Sequence, residues 1–320
     1  MKDNHLYNAL LGEIRKKIPK SSELTRVLVD ILSIEKEAVY RRLRGEVPFT
    51  FHEIALITKT MGISLDTLIG IETEKSQPFR LKLPEFVYPE ESDYIKFEDY
   101  INFLKSISSL EGTEMGVVTN TIPQELFSNF YYLLKFNVLK WQYYYHNQQV
   151  EPFEELSIPT EVLNTFKSQF EETKKIATTN YVFDKYIFNR IVQDIEYFKT
   201  IKLLNDKDIA KIKKELGQFL DYLEALTIIG KFPETDKKVY VYITELDITT
   251  TYSYMRANDI KFSLIKTFIL TSATSLDEMT FEKMKDWIQA TIKASTLITG
   301  TYEQQRILYF ESQRDIINKL

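Results

Sequence analysis

Cysteine is absent from the 320 residues, so disulfides, thiolate nucleophiles and cysteine-based zinc sites are excluded. Its absence is compatible with a reducing compartment. Histidine is scarce: His5, His52 and His146 stand far apart and never approach the H-E-x-x-H spacing of a metal-binding helix. Nine glycines leave little material for phosphate-cradling loops, and no P-loop, G-x-G-x-x-G or G-x-S-x-G occurs. Acidic clusters such as Glu151, Glu154 and Glu155 read as solvated surface. No enzyme activity, metal site or cofactor is therefore expected. No apolar run approaches the roughly 18 residues of a membrane span. The opening MKDNHLYNALLGEIRKK has no apolar signal core. The expectation is a soluble, cytoplasmic protein with no membrane partner.

What is present is ordinary in bulk: 44% hydrophobic and 27% charged residues suit a globular chain long enough for two domains. The aromatic content is high, with 21 Phe and 20 Tyr against 2 Trp. The formal charge is −5, but its distribution matters more than its sum. Residues 13–44 hold nine basic side chains against five acidic ones, and the remainder of the chain is acidic. Positive charge gathers where the one mechanistic pattern lies.

That pattern is TRVLVDILSIEKEAVYRRLRGEVPFT at residues 25–50. A first helix from about Lys2 to Lys17 puts Leu6, Leu10 and Ile14 on one face, and Pro19 follows its end. A second, N-capped at Ser21 or Ser22, buries Leu24, Leu28 and Leu32. After a break at Ser33-Ile34, a third runs from about Glu35 to Arg44 and buries the i, i+4 pair Val39 and Leu43. Gly45 supplies the left-handed position that ends it at low cost. Thr50 and Glu53 have capping-box spacing for a fourth helix, with Ile54, Leu56 and Ile57 on its core face. Gly62-Ile63-Ser64 then reads as a stop, a turn and the N-cap of a fifth. Short helices in tandem, one of them basic, have the shape of a DNA-reading helix-turn-helix.

On those residues, the segment resembles the phage-repressor/Cro-like helix-turn-helix domain of XRE-type regulators. The matching marks are the apolar helix Leu24–Leu32, YRRLRGE at Tyr40–Glu46, the capped helix after Pro48, and GISLDTL at Gly62–Leu68. The resemblance covers residues 6–70, about a fifth of the chain. It departs from the family at Val29, where a small residue is usual, at Ser33, where the turn usually has Gly, and at Glu35, where Ser or Thr often caps. The resemblance implies a five-helix lambda-repressor-like bundle over residues 1–72, with its third helix in the major groove of double-stranded DNA. Lys36, Glu37, Tyr40 and Arg41 are then the candidates for base edges. Thr25, Arg26, Arg42 and Arg44 are the candidates for phosphates. A solvated helix face that reads no DNA is the plain alternative.

Residues 73–93 contain Pro78, Pro84 and Pro89 and read as a linker, with Phe79, Leu81, Leu83, Phe86 and Val87 suited to packing along the body. Residues 94–320 read as a mostly helical α+β domain, so the fold class expected is mainly α. Helices are expected at Tyr94–Ser109, Gln124–His146, Thr160–Ile176, Val182–Thr200, Asp206–Ile229, Thr280–Thr296 and Tyr302–Lys319. A short strand is expected near Met115–Asn120, and an antiparallel meander over Val239–Ile243, Ile248–Met255 and Ile260–Ala273. The Gln124–His146 helix carries aromatics on several sides. Two readings stay open for it: core, or a ligand or dimer surface formed by Tyr132, Phe136, Tyr143 and Tyr144.

The function expected is a sequence-specific transcriptional regulator, bacterial in type, acting as a homodimer because two recognition helices must meet half-sites about 34 Å apart. The large C-terminal domain would dimerise and could take a small-molecule or peptide effector. Two alternatives remain: a peptide-sensing regulator with tetratricopeptide-like C-terminal helices, or an interaction scaffold that does not read DNA. No 34-residue repeat supports the former.

Overall fold

The computed structural model describes residues 5–63, 65, 79–145 and 150–320. The chain divides into two compact units, residues 1–78 and 79–320. Helix predominates, and the β part is one mixed eight-stranded sheet in the second unit.

In the first unit, α1 (His5–Lys17), α2 (Ser21–Leu32), α3 (Lys36–Leu43) and α4 (Phe51–Met61) are described. The fifth helix expected from Ser64 falls almost wholly outside the described residues. Leu10, Ile14, Leu24, Leu28, Val39, Leu43 and Ile57 meet in one buried cluster, as helical spacing dictates. Each fully buried Leu or Val contributes about 2 kcal/mol of apolar transfer energy. Leu6 is exposed instead. The second helix begins at Ser21 with Lys20 as N-cap, and no side chain caps it. Its end is set by Ser33, which sits left-handed at φ 52° and donates its N–H to Val29 O at 2.9 Å. Gly45 takes φ 76° past the end of α3. Thr50 and Glu53 form both halves of the capping box on α4.

The second unit begins earlier than the linker reading allowed. β1 (Arg80–Lys82) pairs antiparallel with β7 (Thr271–Ser275), and Phe86 and Val87 are buried in the main core. Residues 79–93 therefore belong to the folded body; apolar side chains at alternate positions gave them a sheet edge and a core to join. The sheet runs β1-β7-β6-β5-β2-β3-β4-β8. Its centre is parallel: β2 (Glu114–Thr119), β3 (Thr178–Asp184) and β4 (Lys238–Thr244) follow one another with helices between. β5 (Tyr252–Ala257) and β6 (Ile260–Thr267) continue antiparallel into β7, and β8 (Thr296–Leu297) closes the other edge.

The helices of this unit are α5 (Glu91–Ser108), α6 (Gln124–Phe127), α7 (Tyr131–Tyr145), α8 (Thr160–Thr173), α9 (Ile187–Thr200), α10 (Asp206–Ile229), α11 (Glu278–Lys293) and α12 (Glu303–Asn318). Side chains alternate across the strands: Met115 and Val117 join the large helical core, while Val118 meets Phe281 and Ile288 of α11 on the other face. Parallel strands covered on both faces read as continuous apolar runs.

Three expectations are corrected. The meander does not include Val239–Ile243; that segment is β4, parallel to β3 and three strands from β5. The helix expected from Val182 is strand to Asp184 and helix only from Ile187, because Tyr181, Val182 and Phe183 are buried between two strands. The long Gln124–His146 helix is broken into α6 and α7 at Ser128–Phe130. Glu215 takes up the freed backbone there, accepting from the N–H groups of Tyr132 and Leu133 at 2.6 and 3.0 Å. A stack of tetratricopeptide-like helix pairs is likewise ruled out for residues 79–320 by the central sheet.

Candidate nucleic-acid interface

The outward face of α3 follows from what its inward face buries. Val39 and Leu43 enter the core, which leaves Lys36, Glu37 and Arg41 exposed and Tyr40 half-buried. The Lys36 ammonium lies over the Tyr40 ring, 5.7 Å from its centroid. Arg44, just past the last turn, is also exposed, as is Arg26 on α2.

The cations of this face are largely paired. Arg44 Nε donates to Glu46 Oε1 at 2.6 Å and its Nη2 reaches Glu37 Oε1 at 3.4 Å. Arg41 Nε lies 3.7 Å from Glu46 Oε2. Hydrogen bonding from Arg44 holds the Glu46 carboxyl below its ordinary range. Such solvent-exposed pairs are worth little in water and exchange readily for other anions.

Two expected phosphate contacts are corrected. Thr25 is 0% exposed, and its hydroxyl donates to Ser21 O at 2.9 Å. It lies beside Leu24 and Leu28 on the inward side of α2, so its side chain is closed to a phosphate. Arg42 turns away from the outer face to Glu53, with Nη2 2.8 Å from Oε1 and Nε 3.0 Å from Oε2. Glu53 is the capping residue of α4, so Arg42 fastens α3 to α4. Sequence spacing gave no sign of this pair, eleven residues apart on different helices.

Tyr7 was missed for the same reason. Its hydroxyl accepts from Phe49 N at 3.1 Å and lies 3.3 Å from Arg42 O, which ties the loop after α3 back to α1. Arg15 adds a bond to Leu43 O at 2.8 Å.

In the second unit, the aromatic residues offered as a surface do not form one. Phe136 is 0% exposed and packs edge-on against Phe198, so it is core. Tyr143 and Tyr144 come together at the end of α7, where Tyr143 OH and Tyr197 OH are 2.7 Å apart and Tyr144 is 62% exposed. Tyr132 stands roughly 16 Å away along the helix axis, beneath the Lys211 ammonium. Among the described residues no group of acidic or histidine side chains is arranged to hold a metal ion. No described helix is long and apolar enough to cross a membrane.

Residues 10–88 match the BetR domain. The match takes in all of α2, α3 and α4 and runs past the division at Pro78 to include β1. Neither a curated protein nor a solved structure matches the chain.

Proposed function

We propose that this chain is a sequence-specific DNA-binding transcriptional regulator that works as a dimer, with the outer face of α3 reading the major groove. The observation that carries the reading is the split of α3 into a buried Val39/Leu43 edge and an outer edge of exposed Lys36, Glu37 and Arg41 with half-buried Tyr40. None of these outer side chains is needed by the core. A second support is that neither α2 nor α3 has a side-chain hydrogen bond at its N-cap. Their first N–H groups are available to phosphate oxygens, where the helix dipole favours negative charge.

Lys36 and Arg41 would donate to guanine edges, and Glu37 would accept from cytosine. Arg26 and Arg44 would hold phosphate; Arg44 must first leave Glu37 and Glu46. The resemblance to XRE-type domains supports the same assignment, and a dimer follows from the half-site spacing such domains require. The second unit is the candidate for dimerisation. The pairing of Arg41 and Arg44 with carboxylates favours the competing view, a helix pair that binds a protein.

The test selects duplexes from a random pool with the full-length chain, then measures affinity for the winner across a salt series. Arg41→Glu and Lys36→Glu should abolish selection and flatten the salt dependence. A sequence-independent affinity that both variants leave unchanged would sink the reading.

A further inference from the structure

Wholly within residues 79–320, the sheet and helices α5 and α8 line a partly open cavity of about 140 Å3. Phe86, Phe97, Met115, Val117, Phe166 and Met255 give it an apolar lining. Cavities of this size and polarity accommodate a benzene-sized body. Pro84 and Phe86 show that the stretch opening this unit forms part of the wall.

Four ionisable groups line the space: Lys96 and Tyr100 from α5, Glu125 from α6 and Lys266 from β6, with Lys96 already paired with Asp93 at 2.8 Å. The Lys266 ammonium donates to Thr121 Oγ1 at 3.2 Å. Nearby Lys140 is engaged in an ion pair with Asp194, and no ion pair among the described residues includes Lys266. Burial, with Lys140 nearby, brings its pKa down to about 8. Glu125 accepts from Tyr181 OH at 3.3 Å, and burial pushes its carboxyl up toward the neutral form. The cavity thus holds a cation that no ion pair among the described residues engages, with Glu125 the acid whose charge acts on it across the space. An ammonium set against an apolar wall gains from an anion that meets it there.

The geometry points to a binding site for a small amphipathic carboxylate, its apolar body against Phe86, Phe97 and Phe166 and its carboxylate paired with Lys266. An aromatic or branched-chain acid of roughly six to eight carbons matches the volume. Thr251 and Ser253, which also line the space, offer further hydroxyl donors. Burial raises the Glu125 carboxyl, which lessens its competition with a bound carboxylate for Lys266.

This site involves no residue of the first unit, so it stands or falls independently of DNA binding. The test titrates the full-length chain with phenylacetate and with 4-methylpentanoate, following protein NMR shifts and thermal melting. Saturable binding is expected, with phenylacetamide, the uncharged isostere, weaker by about tenfold or more. Lys266→Met should weaken the carboxylates to the same extent while leaving the amide unchanged. Lys266→Gln, which keeps a donor for Thr121, replaces it if the Met variant does not fold. Failure of both acids to bind in the millimolar range, equal binding of acid and amide, or binding indifferent to Lys266 would each overturn the proposal.

Discussion

Arg42 Nη2 lies 2.8 Å from Glu53 Oε1, and the two side chains are only 17% and 12% exposed. The pair joins α3 to the first turn of α4, where Glu53 Oε2 also accepts from Thr50 N at 2.7 Å. Removing either partner leaves a shielded charge without its match. Arg42→Ala should destabilise the first unit by about 2 kcal/mol, read as faster amide exchange in α3 and α4 of the intact chain. Burial raises the Glu53 carboxyl, but the Arg42 guanidinium and Thr50 amide together outweigh it, so the carboxyl titrates below its ordinary value of 4.5. A carboxyl lowered by folding contributes stability that is complete above its unfolded value and is lost as pH falls through the folded one. Glu53→Gln should flatten the acid limb of that profile, and an unchanged limb would contradict the pairing.

Ser33 occupies the left-handed turn between α2 and α3 at φ 52°. A side chain there costs roughly 1–2 kcal/mol, part of which glycine returns through its more flexible unfolded chain. Ser33→Gly should therefore stabilise the first unit by about 0.5 kcal/mol. Ser33→Val, β-branched and left-handed, should destabilise it. The same amide-exchange measurement ranks the three. Equal protection in all of them would mean that the turn is not the limiting element.

The parts of this fold that rest on local contacts were legible in the sequence. The Thr50–Glu53 capping box joins residues three apart, and Val39 and Leu43 are one turn apart. β3 was not legible as a strand, because Tyr181-Val182-Phe183 is an apolar run without alternation, equally suited to a buried helix. Its register depends on β2 and β4, each some 60 residues away. The base-contact candidates could be placed because α3 has one clear apolar edge. Arg42 was misjudged, since charge alone does not say whether an arginine faces solvent or a carboxylate on the next helix. Lys266 and Glu125 carried no signal at all, since each is a lone charge in its local pattern and they lie 141 residues apart in the chain.

Glu46 holds Arg44 at 2.6 Å and approaches Arg41 at 3.7 Å. On the DNA reading it competes with phosphate for both. Glu46→Gln should then raise DNA affinity about threefold at low salt and steepen the salt dependence, without changing the preferred sequence. Arg41→Ala in the same assay should relax base preference, whereas Arg44→Ala should weaken all sequences alike. A Glu46→Gln variant with weaker binding would mean that the carboxylate positions the arginines for the bases instead of withholding them.

Gly116 sits in β2 beneath the ring of Tyr254, which lies beside it on β5. A Cβ added at Gly116 would stand 2.4 Å from Tyr254 Cε1 and 3.1 Å from Ile288 Cγ2. The tyrosine cannot step aside easily, being fully buried with its hydroxyl donating to Glu114 Oε1 at 2.6 Å. Glu114 in turn holds Lys285 of α11 at 2.9 Å and Arg256 at 3.0 Å, so the ring is pinned through a charged network. Gly116→Ala should cost the second unit about 3 kcal/mol through overpacking. Tyr254→Val alone should cost a similar amount by opening a cavity. In the double variant the new methyl occupies part of the vacated space, so the combined loss should fall well short of the sum. Chemical denaturation of the four proteins closes the cycle, and strict additivity would show that the glycine is there for a reason other than this ring.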